Sequence, residues 1–266
     1  MAEARFLDGR CALITGAAGG LGAAFARKLA SAGCNIVMTG LEAPGELDTI
    51  RRDIAHATGV RVDYIRADLA SLEDIETLTK QASNLSGRVD ILVNNAVVRH
   101  FAPIDQFPAE RWNAALAVNV SAPFHLTRLL LPAMRASTYG RIFNITSVYG
   151  SRGTTNRVDY VTTKSAIEGL TRATAMETID GAVTCHALCP GAVLTPSIEE
   201  RIRKLGGEQS LDWERAQAAF LQSKQPTGRF VEASNVAEVL LLLCGPVGRD
   251  MNGAIIPIDG GWLAKA

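Results

Sequence analysis

Short apolar runs alternate with longer segments in which apolar residues recur every three or four positions, from one end of the chain to the other. The runs at residues 11–15, 35–39, 60–65, 91–94, 141–146, 183–188 and 255–258 read as buried strands. Between them, 23–32, 72–85, 116–135 and 165–177 carry the spacing of helices that bury one face. Strand and helix repeated in this way predict an α/β, Rossmann-like, doubly wound parallel sheet of about seven strands, with helices on both faces. No linker, repeat or low-complexity tract interrupts the rhythm, so residues 1–266 read as one dinucleotide-binding catalytic domain.

One stretch departs from the pattern. Residues 195–224 hold two helical segments, 198–205 and 213–221, split by Gly206-Gly207 and with no strand. Insertions after a strand's carboxyl end lie where α/β sheets place their ligand-facing loops, so this one is expected to be a substrate lid rather than a plain helical decoration.

Composition narrows the class. The chain is 47% hydrophobic, and its 27 Lys plus Arg balance 27 Asp plus Glu. That balance argues against a nucleic-acid partner. The beginning of the chain lacks the apolar core of a secretory signal, and the run 239–244 is too short to span a bilayer. A cytoplasmic protein with no membrane partner is expected. Five cysteines without a C-x-x-C pair read as reduced, buried thiols. Cys185 and His186 fall on opposite faces of a strand, and no further ligands have zinc spacing, so no metal is expected.

The candidate chemistry lies at the ends of the strands. Thr15-Gly16-Ala17-Ala18-Gly19-Gly20-Leu21-Gly22 follows the first strand and opens the first helix. Glycines there let backbone approach a pyrophosphate, and the helix N-terminus offers free N–H donors. Further on, Tyr160 and Lys164 sit four residues apart on one helical face. An ammonium close to a phenol favours its ionised form, which suits the phenol to exchange a substrate proton.

The spacing Thr-Gly-x-x-x-Gly-x-Gly resembles the short-chain dehydrogenase/reductase family, and other motifs match it in order. These are Asp68-Leu69, Asn94-Asn95-Ala96, Asn119, Ser147, Tyr160-x-x-x-Lys164, Pro190-Gly191 with Val193 and Thr195, and Asp259-Gly260-Gly261. The resemblance covers essentially the whole chain. It implies catalysis by Asn119, Ser147, Tyr160 and Lys164, with Ser147 holding the substrate oxygen and Asn119 supporting a water-linked proton relay. It also implies a nicotinamide cofactor held by Thr15, Gly16, Gly20, Leu21, Gly22, Leu41, Asp68, Leu69, Asn95, Ala96, Tyr160, Lys164, Pro190, Gly191, Val193 and Thr195. Val97 stands where the family usually has glycine, so the loop after the fourth strand should take its own shape, because a β-branched residue resists positive φ. The end of the second strand, Thr39-Gly40-Leu41-Glu42, has no cation to pair with a phosphate and carries an acid that would repel one. NAD is therefore expected rather than NADP, with Arg51 and Arg52 solvated on a later helix. By the family's habit, helices equivalent to 116–135 and 165–177 pair between subunits, which implies a homotetramer.

Within the family the chain is similar to D-3-hydroxybutyrate dehydrogenases, through Phe107-Pro108-x-Glu110-x-Trp112, Asn119-x-Ser121-Ala122, Lys224-Gln225-Pro226 and Asp259-Gly260-Gly261-Trp262. Its substrate-facing positions differ: Arg99, Tyr149, Arg157 and Arg201 replace a glutamine, a histidine, a lysine and a glutamine, and Ala192 replaces a tryptophan. Arginine binds planar or multiple oxygens in a bidentate fashion. A bulkier or more strongly anionic substrate than hydroxybutyrate is expected at Arg99, Ser147, Tyr149, Arg157, Tyr160 and Arg201, in a pocket enlarged at Ala192. A hydroxy acid, sugar acid or sulfonated sugar would fit. The string Asn156-Arg157-Val158 also resembles dihydrodiol-carboxylate dehydrogenases. An NADPH-dependent 3-ketoacyl reductase and a non-catalytic NAD sensor are the remaining alternatives, and for each arginine the other reading is a solvated surface charge.

Overall fold

A computed structural model describes residues 5–222 and 224–265 of the chain. Its elements run β1 (Cys11–Thr15), α1 (Gly20–Ser31), β2 (Asn35–Gly40), α2 (Asp48–Thr58), β3 (Val62–Arg66), α3 (Leu72–Ser86), β4 (Ile91–Asn94), α4 (Ala109–Leu116), α5 (Ala122–Arg135), β5 (Gly140–Ile145), α6 (Val158–Glu177), β6 (Val183–Pro190), α7 (Pro196–Gln209), α8 (Trp213–Gln222), α9 (Ala233–Cys244), α10 (Val247–Asp250) and β7 (Ile255–Ile258). The seven strands form one parallel sheet in the order β3-β2-β1-β4-β5-β6-β7. The order reverses between β1 and β4, which opens a crevice beyond their carboxyl ends.

Burial explains the uniform apolar runs. Every residue of β1, β4, β5 and β6 is buried, because helices cover both faces. One apolar layer joins β1, β2, α1 and α9, with Phe25, Met38, Phe143 and Leu240 among its members. The other face packs Leu13, Leu78, Leu92, Leu126 and Ile142. A third cluster, including Val148, Ala192, Ile202, Phe220 and Trp262, seats α7 and α8 on the carboxyl edge of the sheet.

The helix expected at 116–135 begins earlier, at Ala109, and passes through a π turn at Ala117–Ser121 before α5. Pro123 has no N–H to offer the Asn119 carbonyl four residues back, and the ladder widens there to an i→i−5 bond from Ala122 to Ala117. The stretch Ala109–Arg135 is long and apolar enough to cross a bilayer by length and composition, yet its apolar stripe packs against α3, β4 and β5. α9 escaped the periodicity because Leu240 to Leu243 is an unbroken apolar run; the helix buries Val236, Ala237, Leu240 and Leu241 against the layer that holds α1.

The break expected at Gly206-Gly207 falls elsewhere. α7 continues through both glycines to Gln209 and ends at Ser210, which takes the left-handed conformation at φ 53°. Gly206 is buried, and a Cβ there would lie 3.1 Å from the Leu211 carbonyl and 3.4 Å from the Ala216 Cβ. The glycine therefore allows α7 and α8 to pack closely rather than ending a helix.

Candidate active site

The crevice at the strand ends is a cleft of about 590 Å³ whose walls come from five places in the chain: the β1–α1 turn, Glu42 after β2, the β4 loop, the β5–α6 segment, and α7 with the residues around it. At the first, Gly16 (φ 61°) turns the chain so tightly that a Cβ would lie 2.9 Å from the Ala96 Cα. A Cβ on Gly19 would meet nothing within 4 Å. α1 starts immediately after it, with no side-chain cap and no acid in its first turn. Its first N–H groups are therefore available to an anion.

Thr15 and Asn95 fasten this turn to β4. The Thr15 hydroxyl accepts from the Asn95 and Ala96 N–H groups at 2.9 Å each, and Asn95 Nδ2 donates to the Thr15 and Gly16 carbonyls at 2.9 Å. Asn119, in the π turn, clamps the next residues: its Oδ1 accepts from Val98 N at 2.9 Å and its Nδ2 donates to Val98 O at 2.8 Å. Asn119 Nδ2 also reaches Thr163 Oγ1 on α6, at 3.2 Å. Val97 is not among the positive-φ residues, as expected for a β-branched side chain, and the Asn119 clamp sets the loop's shape.

Ser147 follows β5, and its Oγ accepts from Tyr149 N at 3.4 Å. Tyr160 and Lys164 occupy the first two turns of α6. Lys164 is buried and donates from Nζ to the Ile145 carbonyl at 2.6 Å, with Nζ 5.5 Å from the centre of the Tyr160 ring. Burial lowers its pKa, and Tyr160 opposes that shift. Ser147, Tyr160 and Lys164 all line the cleft. Asp159, which the sequence reading passed over, is fully buried in the helix's first turn. Its Oδ1 accepts from Tyr160 N and its Oδ2 from His100 N, at 2.6 and 2.8 Å, tying α6 to the β4 loop. An acid at the start of a helix was the available signal.

The three arginines do converge. Arg157, the residue before α6, is only 6% exposed. Its guanidinium lies 4.3 Å from the ring centres of Phe101 and Tyr160 and 5.7 Å from that of Tyr149. Its Nε is buried without a hydrogen-bond partner. Burial lowers its pKa; Tyr160 opposes the shift, while Arg99 and Arg201 add to it. Arg99 Nη2 donates to Ser197 Oγ at 2.7 Å, linking the β4 loop to α7. Arg201 sits 5.1 Å from the Phe101 ring centre and 5.2 Å from that of Phe220. Ala192 lines the cleft, but it also belongs to the cluster with Phe220 and Trp262, so those rings take part of the room expected from the missing tryptophan. Trp262, Phe220 and Lys224 reach the cleft by tertiary folding alone, and no local spacing announced them.

At the opposite end, Glu42 enters the wall by folding back over Gly40, where any side chain would collide with its carboxylate. Tyr64 donates its hydroxyl to the Glu42 carbonyl at 2.8 Å. Burial and Glu42 push the Tyr64 pKa up to about 12. Arg51 and Arg52 are not simply solvated: Arg51 pairs with Asp48 at 3.0 Å and donates to Val62 O, and Arg52 donates to Asp48 O. A different cation, Arg66, donates to Leu41 O at 3.0 Å. Of the expected contact residues, Thr15, Gly22, Leu41, Asp68, Leu69 and Asn119 do not line the cleft. Thr15 and Leu69 are buried, and Asp68 caps the Ala70 N–H. Gly22 packs α1 against the turn, where a Cβ would strike the Gly16 carbonyl. Leu41 is exposed. Thr195 lines the cleft, caps α7 through Ile198 N at 3.4 Å, and faces Gly20. Among the described residues, no three His, Cys, Asp or Glu side chains are grouped as a metal site.

An uncapped helix start behind a glycine turn, beside a Ser–Tyr–Lys set at the sheet's switch point, defines a dinucleotide-dependent oxidoreductase site. Residues 10–205 match the short chain dehydrogenase family, and the chain belongs to it. It is 38% identical to the D-beta-hydroxybutyrate dehydrogenase of Cupriavidus necator, over 97% of this chain and 100% of that protein. It is 36% identical to the D-beta-hydroxybutyrate dehydrogenase of Rhizobium meliloti, over 96% of this chain and 99% of that one. The L-sorbose reductase from Gluconobacter frateurii, complexed with NADPH and L-sorbose, superposes with a TM-score of 0.93 at 27% identity, covering all of both chains. The chain is thus an oxidoreductase acting on CH–OH groups, of a family that uses NAD or NADP. Its own residues fit such a group: the open face at Gly19 and the free start of α1 suit a pyrophosphate, and the cleft continues from there to Tyr160 and Lys164.

Proposed function

We propose that this enzyme interconverts a secondary alcohol and a ketone on a small anionic substrate, with NAD as its cofactor. The observation that carries the reading is Arg157, a buried guanidinium with an unpartnered Nε and no carboxylate within ion-pair distance among the described residues, on the wall of the cleft that holds Tyr160. A buried cation without a counter-ion is costly unless a ligand supplies one. The bound nicotinamide supplies the hydride acceptor in oxidation and the donor in reduction.

The chain's residues do the rest. Ser147 Oγ holds the substrate oxygen, and Tyr160 Oη takes the hydroxyl proton in oxidation and returns it in reduction. Lys164, fixed by the Ile145 carbonyl, stabilises the charge that develops on the phenol oxygen as that proton leaves. Asn119 supports the relay by locking the β4 loop against α6. Gly16, Gly20, Leu21, Asn95, Ala96, Pro190, Gly191, Val193 and Thr195 hold the dinucleotide, and α7 with α8 forms a lid over the substrate. Glu42, placed by Tyr64, takes the ribose hydroxyls and repels a phosphate in their place, which favours NAD. Arg66, which donates to the Leu41 carbonyl, is a nearby cation that favours NADP. The test is an activity screen of the purified enzyme with NAD and with NADP against hydroxy acids, sugar acids, sulfonates and dihydrodiol carboxylates. Turnover of acids with NAD supports the reading, and turnover only of neutral alcohols or of acyl thioesters overturns it.

A further inference from the structure

The cleft does not end at Arg157. Beyond it lies a second cavity of about 640 Å³, lined by the 153–156 loop, Arg152 and Phe101, and sharing Tyr149, Arg157, Arg201, Lys224 and Trp262 with the first. None of its described lining residues is acidic. Arg152 is already engaged, donating to the Trp262 carbonyl at 2.8 Å and to the Lys265 carbonyl. Arg201 has neither a carboxylate within ion-pair distance nor a hydrogen-bond acceptor among the described residues, and it lies half-buried between Phe101 and Phe220. Asn156 (φ 60°) adopts the left-handed conformation that asparagine tolerates better than most residues, and Arg157 follows this turn.

Arg157 and Arg201 both lie over Phe101, at 4.3 and 5.1 Å from its centre, so their guanidinium carbons can be no farther apart than those two distances together. Two cations at such a separation, one buried and one half-buried, repel each other, and Arg99 adds to the field on both. One singly charged carboxylate would leave much of this charge uncompensated. We propose that the substrate carries two anionic groups, one on Arg157 next to the reacting carbon and a second on Arg201 in the adjoining cavity, with Phe101 between them. This rests on the anionic-substrate reading and adds to it a second subsite and a charge.

The test uses unreactive acids on the NADH-loaded enzyme, with binding followed by NADH fluorescence and calorimetry. Succinate and glutarate should bind at least about tenfold more tightly than butyrate and valerate, their monoanionic counterparts in chain length. Arg201→Gln should erase that advantage by weakening the dianions about tenfold more than the monoanions, whereas Arg157→Gln should weaken both classes. Arg201→Lys, which keeps the charge, should retain most of the preference and so separates loss of charge from collapse of the lid. Equal affinity for mono- and dianions in wild type overturns the second subsite, while the anionic reading stands as long as Arg157→Gln still weakens both. A dianion preference that survives Arg201→Gln, or is lost equally in Arg201→Lys, overturns the assignment to Arg201. If no acid binds, or Arg157→Gln changes nothing, the anionic reading fails as well.

Discussion

Replacing Arg157 by alanine should lower kcat/KM for an acidic substrate by about a hundredfold, and the size of that loss can be worked from the site. The guanidinium is 6% exposed and surrounded by three aromatic rings, so water does little to screen it. At an effective dielectric near 20, a carboxylate about 4 Å away gains roughly 4 kcal/mol of Coulomb energy. Desolvation of the ligand offsets part of this. About 3 kcal/mol remains, in line with a charge-assisted hydrogen-bonded pair, and it corresponds to roughly two decades in rate. Arg157→Lys should recover only part of the loss, because a point charge cannot reproduce the bidentate fork. The assay is steady-state kinetics on the best acid and on its uncharged amide, alongside NAD affinity, which should hardly move because the guanidinium packs on the Phe101, Tyr149 and Tyr160 rings rather than on the glycine turn. A loss smaller than about threefold, or an equal loss on acid and amide, would exclude Arg157 as the partner of the substrate anion.

Other consequences follow from the same geometry. Tyr160→Phe should abolish turnover while NADH still binds with affinity within about threefold of wild type; substantial residual activity would assign the proton to another group. NAD should exceed NADP in kcat/KM by at least about tenfold, and Glu42→Gln should narrow the gap; equal efficiencies in wild type would implicate Arg66. His186 is buried between Thr184 and Met251, donating from Nδ1 to the Met251 carbonyl and accepting at Nε2, and burial lowers its pKa to about 4. Because the unfolded chain binds that proton first, stability should be full above about pH 6.5 and fall on acidification towards pH 4, by on the order of 3 kcal/mol. His186→Gln should flatten that part of a urea-midpoint profile, and an unchanged slope would contradict the assignment. Phe124 on α5 and Met176 on α6 are exposed apolar side chains consistent with subunit pairing, so light scattering should give a tetramer's mass, and a monomer at micromolar concentration would refute it.

The strands were legible because a parallel sheet buried on both faces leaves uniform apolar runs, and β1 and β4 fall where the runs do; β7 also falls on its run, but at the sheet edge none of its residues is buried, contrary to expectation. α9 was not legible, since four consecutive leucines carry no helical period. The ordered motifs placed Ser147, Tyr160 and Lys164 on one cleft, but motif membership could not separate wall from scaffold. Thr15 and Asn119 act through hydrogen bonds to the backbone behind the wall, which only the fold reveals. Asp159 and Trp262 were missed for a related reason: each is positioned by a residue far away in sequence, His100 for the first and Arg152 for the second. Gly206-Gly207 misled because glycine signals both a helix end and a close helix–helix approach, and only the distance to Ala216 tells the two apart.

On the proposed reading, this short-chain dehydrogenase recognises the negative charge of its substrate through the buried Arg157 guanidinium. The most direct test is the ratio of wild-type kcat/KM with NAD for a turned-over hydroxy acid to that for the same molecule as its neutral amide. The expected ratio is about a hundred or more, collapsing towards one in Arg157→Ala. A wild-type ratio near one would contradict that reading.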